Sequence, residues 1–99
     1  MEIDQRNVAT LTLNRPGRHN AFDDIMITEL FDACNLLASD KNIRALFLKG
    51  AGKNFSAGAD IDWMKRAANY SKSENQADAN RLSDMLHALR TLPFPVIAA

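Results

Sequence analysis

The sequence predicts an α/β fold, and three observations carry that expectation. Short β-forming runs alternate with long apolar stripes at helical spacing, turn residues punctuate each change of period, and 99 residues leave room for one small domain at most. Strands that alternate with helices imply crossover connections, and crossovers require a largely parallel sheet. An apolar fraction of 46% with 24% charged residues is ordinary for a globular chain and disfavours disorder. No internal repeat, low-complexity run or linker divides it.

Each element has its own justification. Glu2 to Asn14 sets Ile3, then Val8, Leu11 and Leu13, around the polar pair Arg6-Asn7, with Thr10 and Thr12 interleaved. This reads as a β-hairpin. Arg15-Pro16-Gly17 stops it, because proline cannot donate to a strand ladder and glycine permits a turn. Asp23 and Asp24 open a helix, where carboxylates suit the dipole and an Asp side chain can cap. Met26, Leu30, Ala33, Cys34 and Leu37 give that helix one apolar face to about Ser39. RALFLKG, Arg44 to Gly50, is too short for a good helix and suits a buried strand. Gly50 to Asn54 is a turn-rich loop. A short helix is expected from near Ala59 or Asp60, carrying DIDWMKR. NYSKSEN reads as a loop in which Ser73 can cap a last long helix, striped by Leu82, Met85, Leu86, Leu89 and Leu92. Pro93 and Pro95 end it, and Val96-Ile97-Ala98-Ala99 reads as a further buried strand whose apolar residues need a cover.

Composition removes several function classes. Twelve basic and twelve acidic residues cancel, so no overall field favours nucleic acid or an anionic membrane. Cys34 is alone, which excludes an internal disulfide, and no Cys/His cluster has metal-site spacing. The N-terminus MEIDQRNVATLTLN lacks the continuous apolar core of a signal peptide, and no stretch approaches the roughly 20 apolar residues of a membrane span. A cytoplasmic protein is expected, although an organelle form with its transit segment removed has the same pattern.

The informative stretch is FSAGAD, Phe55 to Asp60, where small residues lie between a buried-looking aromatic and a carboxylate. A strand that ends in a Gly/Ala-rich turn leading into a helix leaves backbone N–H groups unpaired and able to donate to an oxyanion. Small side chains at Ser56-Ala57-Gly58-Ala59 let a ligand lie against the backbone, and Gly58 can adopt dihedrals closed to other residues. The alternative is packing: small residues let a helix approach a sheet closely, with Asp60 as its cap.

Three blocks, LNRPGRHNAF (Leu13–Phe22), FSAGADI (Phe55–Ile61) and LPFPVIAA (Leu92–Ala99), resemble the N-terminal part of the enoyl-CoA hydratase/isomerase, or crotonase, family in order and spacing. The resemblance spans essentially the whole chain. It implies a crotonase-like ββα core of which residues 1–99 are the N-terminal portion, and a parent enzyme that adds water to a 2,3-unsaturated acyl-CoA. It also implies that the Ala59 backbone N–H is one of two oxyanion donors, and that Ala59, Asp60, Ile61 and Asp62 line the acyl-CoA site. Gly58 joins that set. Arg18, His19, Ala21 and Ala57 fall in stretches beside the adenine and pantetheine of the coenzyme, and Arg18, Lys65 or Arg66 can offset phosphate charge. Coenzyme A is part of the substrate, and neither a metal nor a redox cofactor is implied. FSAGADIDWMKRAANYS is similar to the branch that hydrates 3-methylglutaconyl-CoA and related branched, carboxylated substrates, as in leucine breakdown. Complete relatives carry C-terminal helices that drive trimers, often paired into hexamers.

Hydration needs a base for water and an acid for the α-carbon, tasks two glutamates usually share in this family. The glutamates here, Glu2, Glu29 and Glu74, fall in none of its catalytic blocks. The second oxyanion donor and both catalytic glutamates belong after a strand like Val96–Ala99, so the 99-residue chain alone is expected to be inactive. Other assignments stay open: an isomerase, hydrolase or dehalogenase of the same family, or a non-catalytic acyl-CoA-binding module. His19 and His87 lack a paired carboxylate or nucleophile nearby in sequence. Trp63 and Tyr70 can face substrate or pack. Some hydratases of this family also bind RNA through lysines on the first helix; here that helix carries Asp23, Asp24, Glu29 and Asp32 and no lysine before Lys41, which disfavours RNA.

Overall fold

A computed structural model describes residues 1–53, 55–56, 58 and 60–98. The chain runs β1 (Glu2–Ile3), β2 (Val8–Leu13), a 3-10 turn (Pro16–Arg18), α1 (Asp24–Ala38), β3 (Ala45–Gly50), α2 (Ile61–Ala67), α3 (Lys72–Arg90) and β4 (Val96–Ala98). The sheet order is β1-β2-β3-β4. β1 and β2 form the expected antiparallel hairpin, closed by a turn in which Asn7 takes a positive φ of 62° and Asp4 accepts from the Arg6 and Val8 amides. β2, β3 and β4 are mutually parallel, with Ala9 opposite Leu46 and Leu46 opposite Val96. Both parallel connections carry helices, as crossovers demand.

α1 and α3 pack on each other and against one face of the sheet. Alternation along the strands puts Ala9, Leu13, Leu46 and Leu48 on that face. Two adjoining clusters make the core. Leu13, Met26, Ile27, Leu30, Leu48, Trp63 and Met85 form one, and Ala9, Cys34, Leu37, Ile43, Leu46 and Leu92 the other; Leu11 and Leu89 touch both. Asp23 caps α1 by accepting from the Met26 amide.

Four expectations are corrected. Ser71, not Ser73, caps α3: its Oγ accepts from the Glu74 N–H while the Glu74 carboxylate accepts from the Ser71 N–H, a reciprocal capping box. Leu86 lies on the solvent side of α3 and is 53% exposed, because the stripe that meets α1 runs through Leu82, Met85 and Leu89. Val96 and Ile97 pair with β3 but remain exposed, since β4 is an edge strand that no described residue covers. Phe55 is 36% exposed, at the rim of its loop. Among the described residues no helix is long and apolar enough to cross a membrane.

Candidate functional site

The site begins where β2 ends. Pro16 starts a 3-10 turn with its fixed φ, and the chain then passes through two left-handed residues, His19 (φ 52°) and Asn20 (φ 55°). Asparagine tolerates that region better than most residues, and here its side chain is put to use. Asn20 is fully buried. Its Oδ1 accepts from the Arg15 N–H at 2.8 Å and its Nδ2 donates to the Ala51 carbonyl at 2.9 Å, while its own carbonyl accepts from Ser56 Oγ at 2.8 Å. One residue therefore binds the turn after β2 to the loop after β3. The Phe22 N–H donates to the Gly58 carbonyl at 2.5 Å and the Asp60 N–H to the Phe22 carbonyl at 2.6 Å, which aligns the two segments side by side.

Asp60 is the electrostatic centre. It is 3% exposed and caps α2 by accepting from the Trp63 N–H at 3.0 Å. Arg15 reaches it at 3.2 Å, and Arg18 approaches both its oxygens at 3.3 Å. The Trp63 N–H first, then the two guanidiniums, hold its carboxyl below the usual aspartate range against the opposing effect of burial. Arg15 also donates to the Ala21 carbonyl at 2.7 Å and pairs with Asp23 at 3.2 Å. Arg18 makes its shortest contact, 2.5 Å, with Asp62, and that hydrogen bond, followed by Asp60 and Asp62 as charges, raises its pKa.

These segments enclose an open cleft of about 410 Å³, lined by Gly17, Arg18, His19, Ala21, Asp60, Ile61 and Asp62. Six residues expected at an acyl-CoA site are thus brought together, with Gly17 as the addition. Gly58 lies outside the lining; its φ of 89° requires glycine, although a Cβ would meet nothing within 4 Å. Ala57 and Ala59 lie outside the described residues. Lys65 and Arg66 do not line the cleft, and Arg66 pairs with Asp24 at 3.2 Å. His87 is exposed near the end of α3, away from the cleft. Trp63 follows the packing alternative: its ring lies in the core and its indole N–H donates to Asp78 at 3.2 Å. A second cavity of about 340 Å³ lies between β2 and α1, and no residue expected at the acyl-CoA site lines it.

Sequence reasoning treated Arg15 only as part of a stop signal and did not single out Asn20. No carboxylate lies within seven residues of Arg15, and its partner Asp60 is 45 positions away, so no local signal marks it. The Asn20 contacts link positions about thirty residues apart, and no local pattern carries them.

A cleft just beyond the carboxyl end of parallel strands, floored by a buried carboxylate held by two arginines, is the arrangement of a ligand-binding α/β domain. The chain belongs to the enoyl-CoA hydratase/isomerase family, which matches residues 4–99. It is 34% identical over its whole length to a Thermus thermophilus protein named "Putative enoyl-CoA hydratase", of which it covers 39%. It is 35% identical to the 1,2-epoxyphenylacetyl-CoA isomerase of Escherichia coli over 96% of the chain and 37% of that protein. The crystal structure of an enoyl-CoA hydratase from Shewanella pealeana superposes with a TM-score of 0.92 at 38% identity, covering 98% of this chain and 36% of that one. The chain therefore spans under two fifths of these relatives, and the crotonase-type fold expected from its three blocks is the fold found.

Proposed function

We propose that these residues form the thioester-binding part of an enzyme that reversibly adds water to a 2,3-unsaturated acyl-CoA. The cleft carries the reading: it gathers Arg18, His19, Ala21, Asp60, Ile61 and Asp62 from two distant segments of a chain in the enoyl-CoA hydratase/isomerase family. The Ala59 backbone N–H is proposed as one oxyanion donor for the enolate formed on the thioester carbonyl. Its neighbours support this, since Gly58 and Asp60 are each hydrogen-bonded to Phe22, and Asp60 lines the cleft. A preorganised donor of this kind is worth about 100- to 1000-fold in rate.

The acid–base groups are proposed to come from sequence beyond residues 1–99. Glu2, Glu29 and Glu74 do not line the cleft, Glu74 is committed to the α3 cap, and Asp60 is stabilised as an anion by three donors, which makes it a poor base. Residues 1–99 alone should therefore bind without turnover. The acyl group is proposed to be branched and carboxylated, as in 3-methylglutaconyl-CoA, on the resemblance of residues 55–71. We further propose a self-associating cytoplasmic protein needing no group beyond the coenzyme of its substrate. Relatives named Delta(3,5)-Delta(2,4)-dienoyl-CoA isomerase favour one competing reading, double-bond migration.

The deciding experiment follows the conjugated-enoyl absorbance of crotonyl-CoA and 3-methylglutaconyl-CoA with the full protein and with residues 1–99. Hydration by the full protein alone is expected. Isomerised product without hydration would replace the reading, and turnover by residues 1–99 would overturn the placement of the acid–base groups.

A further inference from the structure

The cleft contains its own competitor for a ligand anion. Asp60 is satisfied without Arg18, since the Trp63 N–H and Arg15 both reach it and it lies buried at the floor. Arg18 and Asp62 stand at the mouth, their side chains 46% and 57% exposed, and their 2.5 Å contact is shorter than either of the 3.3 Å approaches of Arg18 to Asp60. Counting the groups in mutual contact, two guanidiniums, Arg15 and Arg18, face three carboxylates, Asp23, Asp60 and Asp62. A phosphate entering here meets a net negative cluster whose outer guanidinium is already engaged. Arg18 has a donor fork well matched to phosphate, but one arm points at Asp62.

Resting on the coenzyme A reading above, we infer that Asp62 is a specificity-determining residue: it competes with ligand phosphate for Arg18 and so sets how strongly the cleft takes phosphate-bearing coenzyme relative to its uncharged pantetheine arm. Exposed ion pairs are weak, so a phosphate can displace Asp62, but it does so against both the existing pair and a like charge. Removing the carboxylate frees the guanidinium and lifts the repulsion together. The carboxylate is exposed in the first turn of α2, and the cap of that helix is Asp60, so an isosteric amide at position 62 leaves the fold in place.

The test is calorimetric titration of the full protein with free coenzyme A and, separately, with pantetheine, at low salt and at about 0.5 M salt, where charge effects are screened. For D62N, coenzyme A should bind about three- to tenfold more tightly at low salt, the gain should shrink at high salt, and pantetheine should be unaffected. D62E keeps the charge and should stay within about twofold of wild type. R18Q should weaken coenzyme A and leave pantetheine unchanged. Unchanged coenzyme A affinity in D62N, with measurable wild-type binding, overturns the inference while the coenzyme A reading stands. An equal gain for both ligands also overturns it, because Asp62 would then act through shape. Failure of wild type to bind coenzyme A removes the reading and the inference together.

Discussion

Replacing Asn20 is the perturbation that most directly asks whether the site is held by the contacts described. N20A removes the acceptor for the Arg15 N–H and the donor to the Ala51 carbonyl. A buried backbone group left unpaired costs about 1–3 kcal/mol, and because Arg15 and Ala51 are partly exposed, the lower part of that range, about 1–2 kcal/mol each, applies. Alanine at a φ of 55° adds about 1 kcal/mol that asparagine largely avoids. The sum is about 3–5 kcal/mol, a large share of the roughly 5–15 kcal/mol available to a domain of this size. N20G loses the same hydrogen bonds but escapes the backbone penalty, so it should be about 1 kcal/mol more stable than N20A. Urea unfolding followed by circular dichroism measures both, and a loss of 3 kcal/mol corresponds to a fall in Tm of about 12–24 °C. An N20A variant within about 1 kcal/mol of wild type would refute the argument that Asn20 joins the two loops, and an N20G variant no better than N20A would refute the backbone penalty.

Two further outcomes follow. S71A should destabilise by about 1 kcal/mol through loss of the capping box, whereas S73A should stay within about 0.5 kcal/mol; equal costs in chemical unfolding would show that the α3 cap is misassigned. Acid should destabilise the chain through Asp60. Its folded-state pKa lies below the ordinary aspartate value of 3.8, so the folded form binds that proton less readily than the unfolded chain. The stabilisation is complete above that ordinary value and is lost as pH falls through the lowered folded value. D60N should flatten the dependence of Tm on pH below about 3.8, with residual slope from Asp4, whose pKa Arg6 lowers in the same direction. Identical slopes in wild type and D60N would remove Asp60 as a source.

The elements were largely legible because period and punctuation act locally. The hairpin, α1, β3 and the start of α2 follow from alternation, Asp caps and a Pro-Gly stop. The cap of α3 was legible only to within two residues: Ser71 with Glu74 and Ser73 with Gln76 both have the capping-box spacing, and the folded helix uses the first pair. Leu86 and Ile27 show what a stripe leaves out, since the neighbouring helix decides which edge of the apolar face is covered. The cleft lining was reached through sequence blocks, but its electrostatics were not. Arg18 reads as a free cation until Asp60 and Asp62, more than forty positions away, are brought against it.

The two walls of the cleft, residues 17–21 and 60–62, are separated in sequence by α1 and β3, and this makes any occupant a removable cross-link. The walls meet only after the long loop between them has closed, an entropic cost already met in the folded chain and absent from unfolded forms. A ligand that touches both walls therefore acts on the folding equilibrium of the whole β2–α1–β3 unit. At a hundred times its Kd it would add about 2.7 kcal/mol. Amides in β2 and β3, far from any contact with the ligand, would exchange more slowly with solvent, so occupancy of the cleft could be read from the centre of the sheet.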